Sequence, residues 1–537
     1  MAENPYVSKV GDELVVSAAG MHYLANIVTD PTGPVYAFTN NADPIMVAAA
    51  MARLSRSAND LRLIYLSEFA MRENMASNFI EKVTAEFGDD SVKQLAYSFL
   101  VVESASNLLT KLLEWGRLGG YLEQSTRYIY FDKKNRNGSY KYYIPKLRSG
   151  HTADYCLYMD NIFELYSSVV RQTTEFVRKT HPLSGTASAE EKSAWLATTR
   201  AQACDAARAL LPVATQSSVG IVATAQSIEN LIYFLSSRTL LEAQNAAIDV
   251  LRESKKVLGA FLKRVEEPSR GGAAVMYRQD TQSAVRKLVK EIFKYKDSPV
   301  SSASEVTLVD HWPKSDELNI LVPEMIFADS EMPLPMLKKY VKTWPREQKL
   351  KIFNAYVGNR LNYRQKPGRA FEAIHYEWEL FIDYGIFRDL QRHRMLDMPE
   401  WQRLTPYYGY EIPQLIKDAG LADSFGKCFE LSNELFFMMR NAGYAEEAQY
   451  ATLLGHKMRF RFIENVREAF HLHELRTKPE GHPGYRKVVK EMHRLLSEVH
   501  PLTAAAMKFV DQKEDPELTR LAAELATQRK LALLEKL

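Results

Sequence analysis

The chain has 537 residues, 46% of them hydrophobic and 25% charged, with 69 lysines and arginines against 66 aspartates and glutamates. Such a length exceeds one ordinary core and predicts two or three globular domains, while a net charge of +3 argues against a broad nucleic-acid-binding surface. Three scattered cysteines, Cys156, Cys204 and Cys428, match neither a disulfide framework nor a zinc site. With no apolar run of membrane-spanning length and no secretion-signal layout in MAENPYVSKV, the expectation is a cytoplasmic protein with no membrane or nucleic-acid partner.

Residues 41–86 carry helical apolar spacing, with segments starting at Pro44 and Leu61. The stretch 92–117, VKQLAYSFLVVESASNLLTKLLEWGR, mixes strand and helix signals. YIYF at 128–131 alternates bulky and β-branched residues and predicts a strand. Residues 152–180 and 190–264 predict long helices, the second stopped or kinked at Pro212, with Cys204 as a core residue. EEPSRGG and SPVSSAS mark a boundary, and the short basic amphipathic helix AVRKLVKEIFKYK between them reads as a solvated linker. VTLVDHW and ELNILVPEMIF then predict strands, TPYYGYEIP (405–413) a packed aromatic loop, and PELTRLAAELATQRKLALLEKL a last amphipathic helix. The expected domains are 1–268 and 304–537, joined by a linker over 269–303.

The halves share a weak long-range repeat. In the first, FGDDSV precedes an apolar run and then WGRLGGYLEQSTRY. In the second, QKPGRAFE precedes YEWELFIDYGIFRDL and then RHRMLDMPEWQRLT. Placing Glu123 on Glu400 sets Trp115 on Arg392, Arg117 on Arg394, Ser125 on Gln402 and Arg127 on Leu404. Further on, ARALLPVA and TAQSIENL in the first half answer to residues around Gln449 and to ENVREAFHLHELR in the second. Arginines at these positions suit phosphate groups, because a guanidinium is a delocalised two-pronged donor. Ser125 and Arg127, at i and i+2, would share one side of an extended segment, and Asp389, four residues before His393 on a helix, would orient that imidazole. RHR alone would be an ordinary solvated basic face and STRY a common string; it is their shared register that carries weight. His456, His473 and His482 give no ligand spacing, so no metal is expected.

The combination resembles the flavin-dependent thymidylate synthase family, whose signature is RHR, seven residues, then Ser-x-Arg, with an Arg-x-x-Leu-Pro segment and an Asn-x-Arg helix ending in Leu-Arg. The resemblance implies an α+β fold in two tandem, helix-rich copies with small antiparallel sheets. It implies reductive methylation of dUMP to dTMP, with FAD as cofactor and NADPH and methylenetetrahydrofolate as co-substrates. Because the family's sites are assembled between the subunits of a tetramer, two fused copies imply a homodimer acting as a pseudo-tetramer.

By the same resemblance, Ser125, Arg127 and Arg476 are the catalytic residues, with Arg476 on the pyrimidine. Glu123, Arg208 and Arg392 join them in binding substrate. Arg392, His393, Arg394, Glu400, Asn465, Arg467, His471, Asp89 and Ser91 fall to the flavin. The family's Gly-His-x-Ser/Thr histidine stands as Asp89 and as Pro367 in the two halves, which implies weakened flavin binding. Thr224 and Gln226 replace Asn465 and Arg467 in the first half, and Leu235 stands where the second has Arg476. The losses are complementary: each half keeps one set of site residues and lacks the other, as expected if one composite site survives and its reciprocal does not. The alternatives are a catalytically degenerate nucleotide- or flavin-binding scaffold, or a flavoenzyme acting on another pyrimidine nucleotide.

Overall fold

The computed structural model describes residues 4–11, 13–71, 75–81, 90–293, 304–514, 518 and 520–534. Among them, helices predominate and nine strands form small sheets: β1 (Val7–Val10) with β2 (Glu13–Val16); β3 (Tyr97–Ser106), β5 (Gln216–Thr224) and β4 (Gly119–Glu123) in the order β3-β5-β4; and β6 (Val306–Trp312), β7 (His375–Asp383), β9 (Lys457–Asn465) and β8 (Asp397–Trp401) in the order β6-β7-β9-β8. The fold is α+β, and the larger sheets repeat one plan. In each, a strand runs into a seven-residue helix (Asn107–Leu113 after β3, Tyr384–Leu390 after β7), and the central strand is followed by a longer helix (Ala225–Ser236, Val466–Arg476).

The repeat extends to register. Gly120 lies opposite Val222 in the first sheet and Asp397 opposite Ile463 in the second. Each pair stands three residues before the aligned Glu123 or Glu400, and two before a helix-capping residue. Thr224 and Asn465 both cap, their side chains accepting from the amides of Ser227 (3.2 Å) and Glu468 (2.9 Å). The central strands alternate between buried and part-exposed residues, Met458, Phe460 and Phe462 facing inward on β9, which is the period-two pattern of a strand with one face in a core.

Two compact units emerge: residues 1–105, 109–124 and 217–296, and residues 106–108, 125–216 and 297–537. These units are a different division from the sequence halves, because the stretch 125–216 packs with second-half residues. Its helix Ser149–Thr180 buries Tyr155, Met159, Ile162, Phe163 and Tyr166 along one stripe and packs against Ala422–Asn441. Within the same unit the repeated segments around Leu211 and Thr452 meet each other. Pro212 bridges its own counterpart Leu453, Val213 N–H donates to Thr452 O (2.8 Å), and Leu454 N–H donates to Leu211 O (2.8 Å). The exchange is reciprocal, as at a two-fold axis between identical chains.

Several local expectations need correction. YIYF forms no strand; Phe131 and Tyr130 instead pack beside helix Ser149–Thr180, the Tyr130 hydroxyl meeting Thr174 Oγ1 at 2.8 Å. ELNILVPEMIF is a buried helix (Leu318–Ile326) with Pro323 inside it, since a short apolar run does not by itself distinguish a core strand from a core helix. The span 190–264 holds helices Ala189–Ala207, Ala225–Ser236 and Leu241–Leu262 with β5 among them; tertiary pairing of the alternating SSVGIVA overrides the helical reading. The linker helix is longer than AVRKLVKEIFKYK, spanning Ala273–Ile292. Cys204 is buried in a helix, and TPYYGYEIP is packed, with Tyr410 stacked on Phe429 at 3.6 Å.

Candidate active site

The second unit gathers the arginines of both sequence halves. Arg127 lies in a turn over 126–128 rather than an extended segment, and Ser125 just before it accepts the Arg127 amide on Oγ at 3.1 Å, which fixes the turn. Arg127 makes a fork to Asp205, Nε to Oδ1 and Nη2 to Oδ2, both 2.8 Å, and reaches the Tyr485 hydroxyl at 3.2 Å. Asp205 stands three residues before Arg208 and also receives Arg520 at 3.1 Å. Burial alone would raise its carboxyl, but Arg127 and Arg520 hold it down at about 2.

The second half contributes from the end of the helix Tyr384–Leu390, which Asp383 caps by accepting from Ile386 N–H at 2.6 Å. Asp389 there receives Arg208 Nη1 on Oδ2 at 3.0 Å and Arg392 Nη2 on Oδ1 at 2.6 Å. It does not orient His393, as the helical spacing had suggested, because both its oxygens face arginines and the chain turns after Leu390. Glu468 takes that role. Its Oε1 lies 2.8 Å from His393 Nδ1, and Arg476 Nε donates to His393 Nε2 at 2.8 Å. An Nε2 that accepts forces the hydrogen onto Nδ1, so His393 is the neutral Nδ1–H tautomer. Burial, then the charge of Arg476, pushes the ring down to about 3, in agreement with that assignment. Burial would raise Glu468, yet hydrogen bonds from His393 and His471 keep it at about 2. Arg476 is further tied by Nη2 to Asp389 O at 2.7 Å. The guanidinium carbons of Arg127 and Arg476 lie 5.5 and 5.2 Å from the centre of the Tyr485 ring, so one aromatic side chain sits beside both catalytic candidates.

The other expected residues divide. Arg392 is 44% exposed and available to a ligand. His471 is part-exposed, with Nδ1 3.4 Å from Glu468; Arg467 is 41% exposed and donates to Pro367 O at 3.3 Å. Arg394 follows His393 in the turn, and Glu400 is exposed on β8. Asn465 spends its side chain as a helix cap. Glu123 and Ser91 belong to the first unit, Glu123 held by buried Lys111 at 2.9 Å and Ser91 exposed on the turn Asp90–Gln94. Asp89 lies outside the described residues. His393, Glu468 and His471 bring donor atoms within 4.8 Å of one another, but the imidazole lone pair of His393 is already committed to Arg476, so this donor set does not suit a cation.

Sequence reasoning missed Asp205, Glu468, His482, Tyr485 and Arg520. Asp205 and Glu468 had a signal, each standing three residues from a recognised position on its helix, Arg208 and Asn465. Nothing local marks His482, Tyr485 or Arg520. A cavity of about 670 Å³ adjoins the cluster, lined by Asp205, Arg208, Asp383, His482 and Lys457 among others. Gly385 stands where a Cβ would lie 3.4 Å from Arg208 Nε, within reach of ordinary contact.

This fold plan, repeated twice, with arginines from both copies around one site, defines a duplicated thymidylate-synthase-like class. The family model described as thymidylate synthase complementing protein (Thy1) matches residues 35–258 and 307–502, two regions as two fused copies would give, and the chain belongs to that family. It is 32% identical over 522 residues to a UPF0159 protein of Chlamydia pneumoniae, covering 94% of this chain and 96% of that one. It is 28% identical over 502 residues to a UPF0159 protein of Thermoplasma acidophilum, covering 89% and 97%. Among solved structures, a UMP/dUMP methylase of Streptomyces cacaoi bound with 5-Br dUMP matches 38% of this chain and 93% of its own at 15% identity, with a TM-score of 0.30.

Proposed function

We propose that the chain catalyses reductive methylation of dUMP to dTMP at a single composite site, using FAD, NADPH and methylenetetrahydrofolate, and that it works as a homodimer in the cytoplasm. The observation that carries this reading is the meeting of Arg127 and Arg208 from one copy with Arg392 and Arg476 from the other inside one compact unit. Those are the complementary sets that the two halves retain, and decay without selection would not sort them so.

The part-exposed polar ends of Arg467 and His471 fit the phosphate side of a flavin nucleotide, whereas His393 and Asn465 are spent on the protein itself. When bound, FAD supplies the hydride that completes the methyl group. The chain's own residues bind and polarise. Arg208 and Arg392 hold the nucleotide phosphate, with Arg127 beside them. Arg476, aimed by the His393–Glu468 pair, stabilises negative charge as it develops on the uracil carbonyl. Ser125 accepts the Arg127 amide and keeps its hydroxyl hydrogen to donate.

The test is anaerobic incubation with NADPH, FAD, dUMP and methylenetetrahydrofolate, scored by the mass of the nucleotide. A product one methyl group heavier supports the reading, and unchanged dUMP alongside flavin-loaded protein overturns it.

A further inference from the structure

Five guanidiniums, those of Arg127, Arg208, Arg392, Arg476 and Arg520, surround two aspartates in this site. The aspartates are not equivalent. Asp205 is taken up by the two-pronged fork of Arg127, with Arg520 of the other copy also on its Oδ2 at 3.1 Å. Asp389 sits between the copies, one oxygen on Arg208 and the other on Arg392, at 3.0 and 2.6 Å. That is the geometry in which two arginines from different copies would grip one oxyanion. Asp389 is held well below the usual carboxylate range, burial being outweighed by Arg208 and Arg392, so it is an anion. Arg208 has a buried Nη2 with no partner among the described residues, and Arg208 lines the cavity, so a donor is left over for a further acceptor.

We propose that the Asp389 carboxylate is a resident anion in the phosphate seat: a specificity-determining group that a nucleotide's phosphate must displace from Arg208 and Arg392 before it can bind. The surplus of guanidiniums means the site still admits a dianion, but only by exchanging one oxyanion for another. Affinity for the phosphate is thereby reduced relative to affinity for the nucleoside, which makes no such exchange. This rests on the reading of the site as one for a pyrimidine nucleotide, yet it is tested by binding alone.

Inorganic phosphate, dUMP and deoxyuridine are titrated calorimetrically into the full-length protein and into Asp389→Asn. Phosphate and dUMP should each bind the variant about tenfold or more tightly than the parent, with deoxyuridine unchanged. Phosphate should also raise the variant's Tm by more than the parent's, because it restores the missing counter-charge. Equal or weaker phosphate binding by folded Asp389→Asn overturns the proposal. Asp389→Glu keeps the charge and should bind phosphate as weakly as the parent; tenfold tighter binding by it would also overturn the proposal, even if Asp389→Asn does not fold. Tighter phosphate binding without any dUMP methylation would uphold the exchange while refuting the assigned reaction.

Discussion

Where the second copy has Arg392 and His393, the first has Trp115 and Gly116; where the first has Arg127 and Arg208, the second has Leu404 and Gln449. The replacements are not vacancies. Trp115 stacks on Phe234 at 4.1 Å, nearly parallel, beneath the Arg238 guanidinium that caps the same ring at 3.7 Å. Leu404 is 4% exposed, and its amide donates to Gln449 Oε1 at 3.2 Å. One set of equivalent positions thus holds a charged, hydrogen-bonded cluster and the other has become packing. A polar site released from function is expensive to keep, since each buried charge needs a partner, whereas apolar and amide groups satisfy themselves locally.

The comparison breaks most sharply at turnover. Arg127→Ala and Arg392→Ala, changes in different halves, should each lower methyl transfer roughly hundredfold or more. They should differ in stability. Arg127→Ala strands buried Asp205, while the part-exposed Arg392 pair contributes at most about 1 kcal/mol. If Arg127→Ala keeps full turnover, the composite site is wrong.

Acid is the next lever. In the native chain His393, His456 and His482 stay neutral down to about 3, burial being the main cause, whereas the unfolded chain protonates its histidines below about 6.5. The unfolded state binds more protons across that window, so stability falls as pH falls through it. Asp383 acts in the opposite sense: burial raises it to about 6, so it takes a proton in the native state that the unfolded chain takes only near 4. Melting curves from pH 7 to pH 4 should show the net loss, and His393→Gln should flatten it. A Tm that is level or rising on acidification would refute the assignment of neutral buried rings.

Leu404→Ala, on the side that has become packing, should cost about 2–4 kcal/mol in chemical denaturation and leave kcat within about twofold. Trp115→Ala should be milder, about 1 kcal/mol beyond lost surface burial, again without a kinetic effect. A hundredfold loss of kcat in either variant would mean that the replaced positions still serve the chemistry.

Much of this was legible beforehand because arginines in register across a repeat survive as a pattern even when each motif is incomplete. The α+β class, through the resemblance, and the gathering of Arg127, Arg208, Arg392 and Arg476 into one group came from that register. What was not legible depended on which carboxylate each cation meets. The spacing from Asp389 to His393 was right for a helix, but the helix stops at Leu390 and the imidazole turns to Glu468, a partner 75 residues away. The ELNILVPEMIF strand and the helical reading of 216–224 within 190–264 failed for a related reason: local apolar pattern is silent about which neighbour it will be packed against. Tyr485, beside both Arg127 and Arg476, carries no local signal at all.

The crossing of Pro212 with Leu453 has a consequence for how such a protein changes over time. Where two identical chains pair about an axis, any altered residue near it is altered on both sides, so a beneficial charge on one side arrives with its harmful twin on the other. Here the reciprocal bonds persist while the two partners are written separately in one chain. Four residues before each crossing point stand Arg208 and Gln449, one kept as a cation and the other turned into a hinge-pin for a backbone amide. Fusion let a symmetric joint hold an asymmetric pair.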